Sequence, residues 1–150
     1  MGYKEDIEIN RHKLDEEIIN QPVLYLEWAQ KASEAMAHKQ RTEQKRKLIK
    51  AELDKKYREQ FESNGEKYTE AKLDSYIRSD KEFKSATDEY IDAMEQEQIY
   101  ADVKWAFQQR KSSLELLQEG IINGIYADPR NTTTQKAISE HLNKRKKRDE

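Results

Sequence analysis

The sequence predicts an all-α protein, a long-helix hairpin or bundle with coiled-coil-like packing that works as an oligomer. Three observations carry this. Charged residues make up 39% and hydrophobic ones 35% of the 150 residues, against about a quarter and nearly half in an ordinary globular domain. Glycine is rare and proline occurs twice, so Glu, Lys, Gln, Ala and Leu, which lose little side-chain freedom in a helix, dominate. Finally, apolar residues recur at threes, fours and sevens. Helices with so much wet surface share little core, and they complete it by self-association.

Taken in order, Ile7, Leu14 and Ile18 predict a short amphipathic helix from Tyr3 to Asn20. Pro22 ends it or opens the next, because proline fits a helix's first turn. Val23, Leu26, Ala29, Ala32 and Met36 then mark one apolar face. Between Ala37 and Lys47 the stripe fades without a breaking residue, and it resumes at Leu48, Ile49, Leu53, Tyr57 and Phe61. This predicts one long helix with a solvated middle. Ser63-Asn64-Gly65 is a reversal, since Asn and Gly accept the left-handed backbone that closes a helix.

Beyond it, Thr69 can cap a short helix carrying Leu73, Tyr76 and Ile77. Ser79-Asp80-Lys81-Glu82 has the form of a capping box and predicts a helix start. The helix that follows shows Ala86, Ala93, Tyr100, Phe107, Leu114 and Ile121 at intervals of seven, with Tyr90, Met94, Val103 and Leu117 between them. It should span about forty residues, with Gly120 and Gly124 ending or weakening it and Ala127-Asp128-Pro129 stopping any continuation. These elements predict one helical oligomerisation domain over 1–126. Residues 127–150 are expected to be a mobile basic tail, with a weak helical piece from Ala137 to Leu142 and a cluster at Lys144-Arg145-Lys146-Lys147-Arg148.

Net charge is only -2, but it is segregated. From Lys39 to Arg58 nine bases (Lys39, Arg41, Lys45, Arg46, Lys47, Lys50, Lys55, Lys56 and Arg58) face three acids, a local +6. From Glu59 to Val103 thirteen acids face five bases. The nine bases are the candidate nucleic-acid contacts: they can follow a phosphate backbone while Tyr57, Phe61 and Tyr68 stack on bases. The competing reading is a solvated helix whose rings belong to the core.

Catalytic patterns are missing. There is no cysteine, no phosphate-binding glycine loop and no nucleophile elbow. His12, His38 and His141 lie in separate segments, and the Glu34/His38 pair lacks the partner motif that a metal site in a helical bundle needs. The expectation is a protein with neither enzymatic activity nor cofactor. No run of about eighteen apolar residues occurs, which predicts a cytoplasmic protein that does not enter membranes.

The stretch Tyr76-Ile77-Arg78-Ser79-Asp80-Lys81-Glu82-Phe83, then a heptad helix, then Leu114 to Ile122 with Gly120-Ile121, resembles the UvsY family of phage recombination mediators. Leu24-Tyr25-Leu26-Glu27-Trp28-Ala29-Gln30-Lys31-Ala32-Ser33 and Ile49-Lys50-Ala51-Glu52-Leu53-Asp54 agree in order and spacing, so the likeness spans about residues 20 to 125. The resemblance implies a ring-shaped homo-oligomer that binds single-stranded DNA. It also implies that the protein helps load a RecA-like recombinase in place of single-strand-binding protein, in the host cytoplasm if phage-encoded. In the family a Lys-x-Arg pair is associated with DNA binding, and here it falls on Lys50 and Glu52. The lysine is kept and the arginine is replaced by an acid, with Lys47, Lys55, Lys56 and Arg58 carrying charge nearby. The alternative is a coiled-coil adaptor or phage assembly scaffold without DNA binding. A double-stranded DNA regulator is disfavoured because no short helix pair with a central glycine turn appears.

Overall fold

In chain order, the computed structural model has α1 (Tyr3–Ile7), a 3-10 turn (Arg11–Lys13), α2 (Leu14–Ser63), α3 (Glu70–Ser79) and α4 (Lys81–Ile122). It describes residues 2–124, and no strand occurs among them. The all-α expectation holds, and α2 and α4, at 50 and 42 residues, are the two long helices. The expected basic tail and its helical piece lie outside the described residues.

Local chemistry sets the helix ends. At the close of α2 the amide of Gly65 donates to the Glu62 carbonyl and that of Glu66 to the Phe61 carbonyl, with Gly65 at φ +66°. This paired closure uses two carbonyls that would otherwise lack partners, and glycine reaches the left-handed φ at no steric cost. Thr69 caps α3 by accepting from the amide of Lys72. The start of α4 differs from expectation by one residue: Asp80, not Ser79, is the cap. Its Oδ1 accepts from the Glu82 amide at 2.8 Å, while Ser79 ends α3 with its hydroxyl turned back to the Ser75 carbonyl. Aspartate prevails because an ionised acceptor at a helix N-terminus also meets the positive end of the helix dipole. Gly120 is buried inside α4, and Gly124, at φ +68°, follows its end.

The described residues divide into two units, of which the first comprises residues 2–28 and 103–124. Here α2 and α4 run antiparallel, as the Tyr25 to Gln108 and Glu17 to Arg110 contacts require. Phe107 has no exposed surface and stacks on Trp28, with centroids 6.1 Å apart and planes 15° from parallel. The single helix expected over 3–20 is instead α1, an extended link and the start of α2. The buried Arg110 sets that break. Its guanidinium donates to the backbone carbonyls of Ile7 and Glu8, to Gln21 Oε1 and to Glu17, and the two carbonyls are available only where α1 has ended. Trp28 fastens α1 by donating its Nε1–H to Asp6 and by meeting the Tyr3 ring edge-on.

Pro22 was expected at a helix boundary, yet α2 passes through it. Proline removes one amide and denies the Ile18 carbonyl its partner, normally costing about 3 kcal/mol. Buried anchors on both sides hold the turn: Leu14 and Trp28 in the core, and Gln21 through an Nε2–H bond to the Phe107 carbonyl at 2.8 Å. The expected apolar face of α2 is also corrected. Val23, Leu26 and Met36 are exposed, and the buried ridge is Leu14, Gln21, Trp28, Ala35 and Thr42, seven apart.

The second unit, residues 29–102, is built on Leu53, Phe61, Leu73 and Ile77, with Ile49, Tyr57, Tyr68 and Phe83 packed around them. Four aromatic side chains associate there: Phe61 meets Tyr68 and Tyr76, and Tyr57 meets Tyr76. Farther along, Ala35 and Thr42 on α2 and Ala86 and Ala93 on α4 are buried small residues, which let the two helices approach closely. The Thr42 hydroxyl is satisfied by the carbonyls of His38 and Lys39. The middle of α2, expected to be solvated, is tied to α4 through Lys39–Glu97 at 3.2 Å, Lys45–Glu89 at 2.6 Å and Arg46 lying 4.6 Å over the Tyr90 ring. The acid-rich sequence of α4 thus complements the basic segment 39–58 of α2. No described helix is long and apolar enough to cross a membrane.

Candidate nucleic-acid interface

The second unit holds all nine candidate cations, but a helix advances 100° per residue and distributes them around α2. The structure separates them into groups. Lys39 and Lys45 bridge to acids of α4. Lys55 is within 3.9 Å of Glu59 one turn along α2. Arg58 is a clamp: its Nε donates to Asp54 and its terminal amino groups reach both oxygens of Glu70, joining α2 to α3. These carboxylate bonds push its pKa above the ordinary arginine value. Lys56 lies 5.6 Å over the Tyr57 ring, and Arg41 is exposed.

The remaining three, Arg46, Lys47 and Lys50, line one cleft of about 300 Å³ with Asp74 and Arg78 of α3 and Phe83 and Thr87 of α4. Asp74 is the internal counter-ion, 2.7 Å from Arg78 Nε and 3.6 Å from Lys50 Nζ. Lys47 is also bonded to Glu43 at 2.7 Å, and that bond holds the Glu43 carboxyl below its ordinary range. Arg78 was not among the sequence-derived candidates. Its only local signal is the Asp74/Arg78 spacing of four, which places the two on one face of a helix.

The aromatic candidates resolve in favour of the core. Phe61 is buried, and Tyr57 and Tyr68 pack against it. Tyr57 is further fixed by donating its hydroxyl to Asp80 Oδ2 at 2.7 Å. That bond lowers the Asp80 pKa and raises that of the phenol. Among the described residues no group of three or more His, Asp or Glu side chains is arranged to hold a metal ion. Every buried side-chain polar atom described has a hydrogen-bond partner.

What the unit offers chemically is a cationic surface framed by rigid helices. A family model described as "Recombination, repair and ssDNA binding protein UvsY" matches residues 2–112. No curated protein and no solved structure gives a significant match. The match takes in α1, α2, α3 and most of α4, including the whole basic stretch and the cleft. It covers well over half of the chain, and the chain belongs to the UvsY family of recombination, repair and single-stranded-DNA-binding proteins.

Proposed function

We propose that the protein is a recombination mediator. In this reading it binds single-stranded DNA as a homo-oligomer, in ring form, and helps load a RecA-like recombinase where single-strand-binding protein already covers the strand. It acts in the cytoplasm, that of the host cell if phage-encoded, and needs neither cofactor nor active site. The observation that carries the reading is the family match over the residues that contain the basic stretch.

Self-association draws its support from apolar surface left outside the core. In the first unit Ile19, Val23 and Leu26 lie on the side of α2 opposite Leu14, Gln21 and Trp28, and Ile19 is 73% exposed. On α4 Trp105, 61% exposed, and Leu116 face away from Phe107 and Leu114. Large apolar side chains gathered in this way mark interaction surfaces. Joining weakly binding subunits raises avidity about a hundredfold or more without any new contact.

The same apolar surface suits a coiled-coil adaptor or assembly scaffold, and behaviour towards DNA separates the two readings. The test is the ATPase of a RecA-like recombinase on single-stranded DNA precoated with single-strand-binding protein. A mediator restores the suppressed activity, together with a rise in mass when the oligomer meets DNA in light scattering. An adaptor leaves both unchanged.

A further inference from the structure

The cleft between α2, α3 and α4 in the second unit brings together cations from two helices. Arg46 is steadied by the Tyr90 ring, Lys47 by Glu43, and Lys50 and Arg78 share Asp74. Four cations against Asp74 and Glu43 leave a net charge of +2. One carboxylate inside the cleft is too few for a metal ion, whereas the cation excess suits an anion. Thr87 already donates its hydroxyl to the Phe83 carbonyl at 2.8 Å, so it forms wall and supplies no free proton. The donors are therefore the ammonium and guanidinium groups. Arg78 meets Asp74 through Nε, and its fork of terminal amino groups lies outside that bond. Such a fork matches two oxygens of one phosphate.

We infer that this cleft is a phosphate subsite for the backbone of single-stranded nucleic acid in which Arg78 of α3 is the added principal ligand beside Lys50, the lysine that the family resemblance already associates with DNA, with Asp74 holding both in place when it is empty. This rests on the single-stranded-DNA reading above and gives it a location that the charge count along α2 does not. Position 52 on α2 contributes nothing to it, because two residues along a helix from Lys50 a side chain projects about 200° around the axis. The pairs that must yield are solvent-exposed: Arg78 is 73% exposed and Lys50 54%. Exposed pairs of this kind are weak, and a phosphate can enter without a large penalty.

The test uses the full chain and two readouts. In the first, a dye-labelled oligothymidine is titrated across a salt series with the wild type and with Arg78→Gln, Arg78→Lys and Lys55→Gln. Each phosphate contact contributes about -0.7 to the slope of log affinity against log salt for a single strand. Arg78→Gln should reduce that slope by about 0.7 per engaged subunit, Arg78→Lys should restore the slope without the full affinity, and Lys55→Gln, outside the cleft, should change it less. In the second, inorganic pyrophosphate is added and the Arg78 Nε–H resonance is followed by NMR; the subsite predicts a saturable shift. Arg78 is exposed, so its replacement leaves the fold intact, and equal melting curves verify this. Wild-type binding of DNA with an unaltered slope in Arg78→Gln, or an Arg78 signal unmoved by pyrophosphate, overturns the subsite and leaves the single-stranded-DNA reading intact. A pyrophosphate shift without oligonucleotide binding does the reverse: the phosphate site stands and the DNA reading falls.

Discussion

Replacing Arg110 by Met keeps most of the side chain's length and apolar stem while deleting every donor it offers. The Arg110 side chain is 2% exposed, and its partners are Glu17, Gln21 Oε1 and the backbone carbonyls of Ile7 and Glu8. All four acceptors lose that donor at once, Glu17 keeping the Asn10 amide on its other oxygen. Removing one member of a buried ion pair typically costs 3–5 kcal/mol, chiefly through the charge left behind. Glu17 is 19% exposed and regains some water, which puts the expected loss at the lower end, about 3 kcal/mol. For a chain of this size that is a fall in Tm of roughly 6–12 °C, measured by circular dichroism at fixed protomer concentration, because the proposed self-association would make Tm concentration-dependent. The damage should be local first. With the carbonyls of residues 7 and 8 released, trypsin should cut at Arg11 and Lys13 faster than in the wild type. Pairing the change with Glu17→Met supplies the control: the double variant should be more stable than the two single losses added together, by at least about 1 kcal/mol. Additive losses, or a single loss below about 1 kcal/mol, would refute the argument that Arg110 organises the N-terminal segment.

Two further outcomes follow from the core and the caps. Phe107→Ala should destabilise by about 3–5 kcal/mol in chemical denaturation, since the ring is wholly buried and its removal also leaves the Trp28 face without a partner; a variant that melts and assembles normally would show the α4 register to be wrong. Asp80 should make stability sensitive to acid. Its folded pKa is depressed by the Tyr57 hydroxyl, so its contribution is present above the ordinary aspartate range near about 4 and is lost as pH falls through the lower folded value. Asp80→Asn should flatten that part of the stability-versus-pH curve, and an unchanged curve would remove Asp80 from the account.

The two long helices differ in how openly the sequence declares their buried sides. On α4 the sevenfold positions Ala86, Ala93, Phe107 and Leu114 are apolar and buried, so periodicity and packing coincide. On α2 the same interval is occupied by Leu14, Gln21, Trp28, Ala35 and Thr42, and its polar members hide it. Gln21 is buried because it bonds to the Phe107 carbonyl and to Arg110, partners more than eighty residues distant in the chain. Hydrophobic periodicity cannot register a polar group whose satisfaction is tertiary. The competing stripe of Val23, Leu26 and Met36 was legible as apolar but not as outward-facing. Turns fared better, because the glycine at position 65 and the threonine at position 69 act through backbone groups within a few residues.

The candidate interface shows the same division. An excess of bases over residues 39–58 can be counted from the sequence, yet the count says nothing of the acids of α3 and α4 that engage Lys39, Lys45, Lys50 and Arg58. Arg78 escaped because it lies within the acid-rich span from Glu59 to Val103, outside the basic segment, and only the fold carries it to Lys50. Tyr57 and Phe61 were open to two readings, stacking platform or core, until tertiary contacts with Tyr68 and Tyr76 decided for the core.

Fluorescence anisotropy of a labelled single-stranded oligonucleotide, titrated with the protein from low to physiological salt, tests the central claim most directly. The account predicts binding at low salt that weakens steeply and linearly in log–log form, as released counterions demand. Absence of binding in dilute buffer, or binding indifferent to salt, would contradict it.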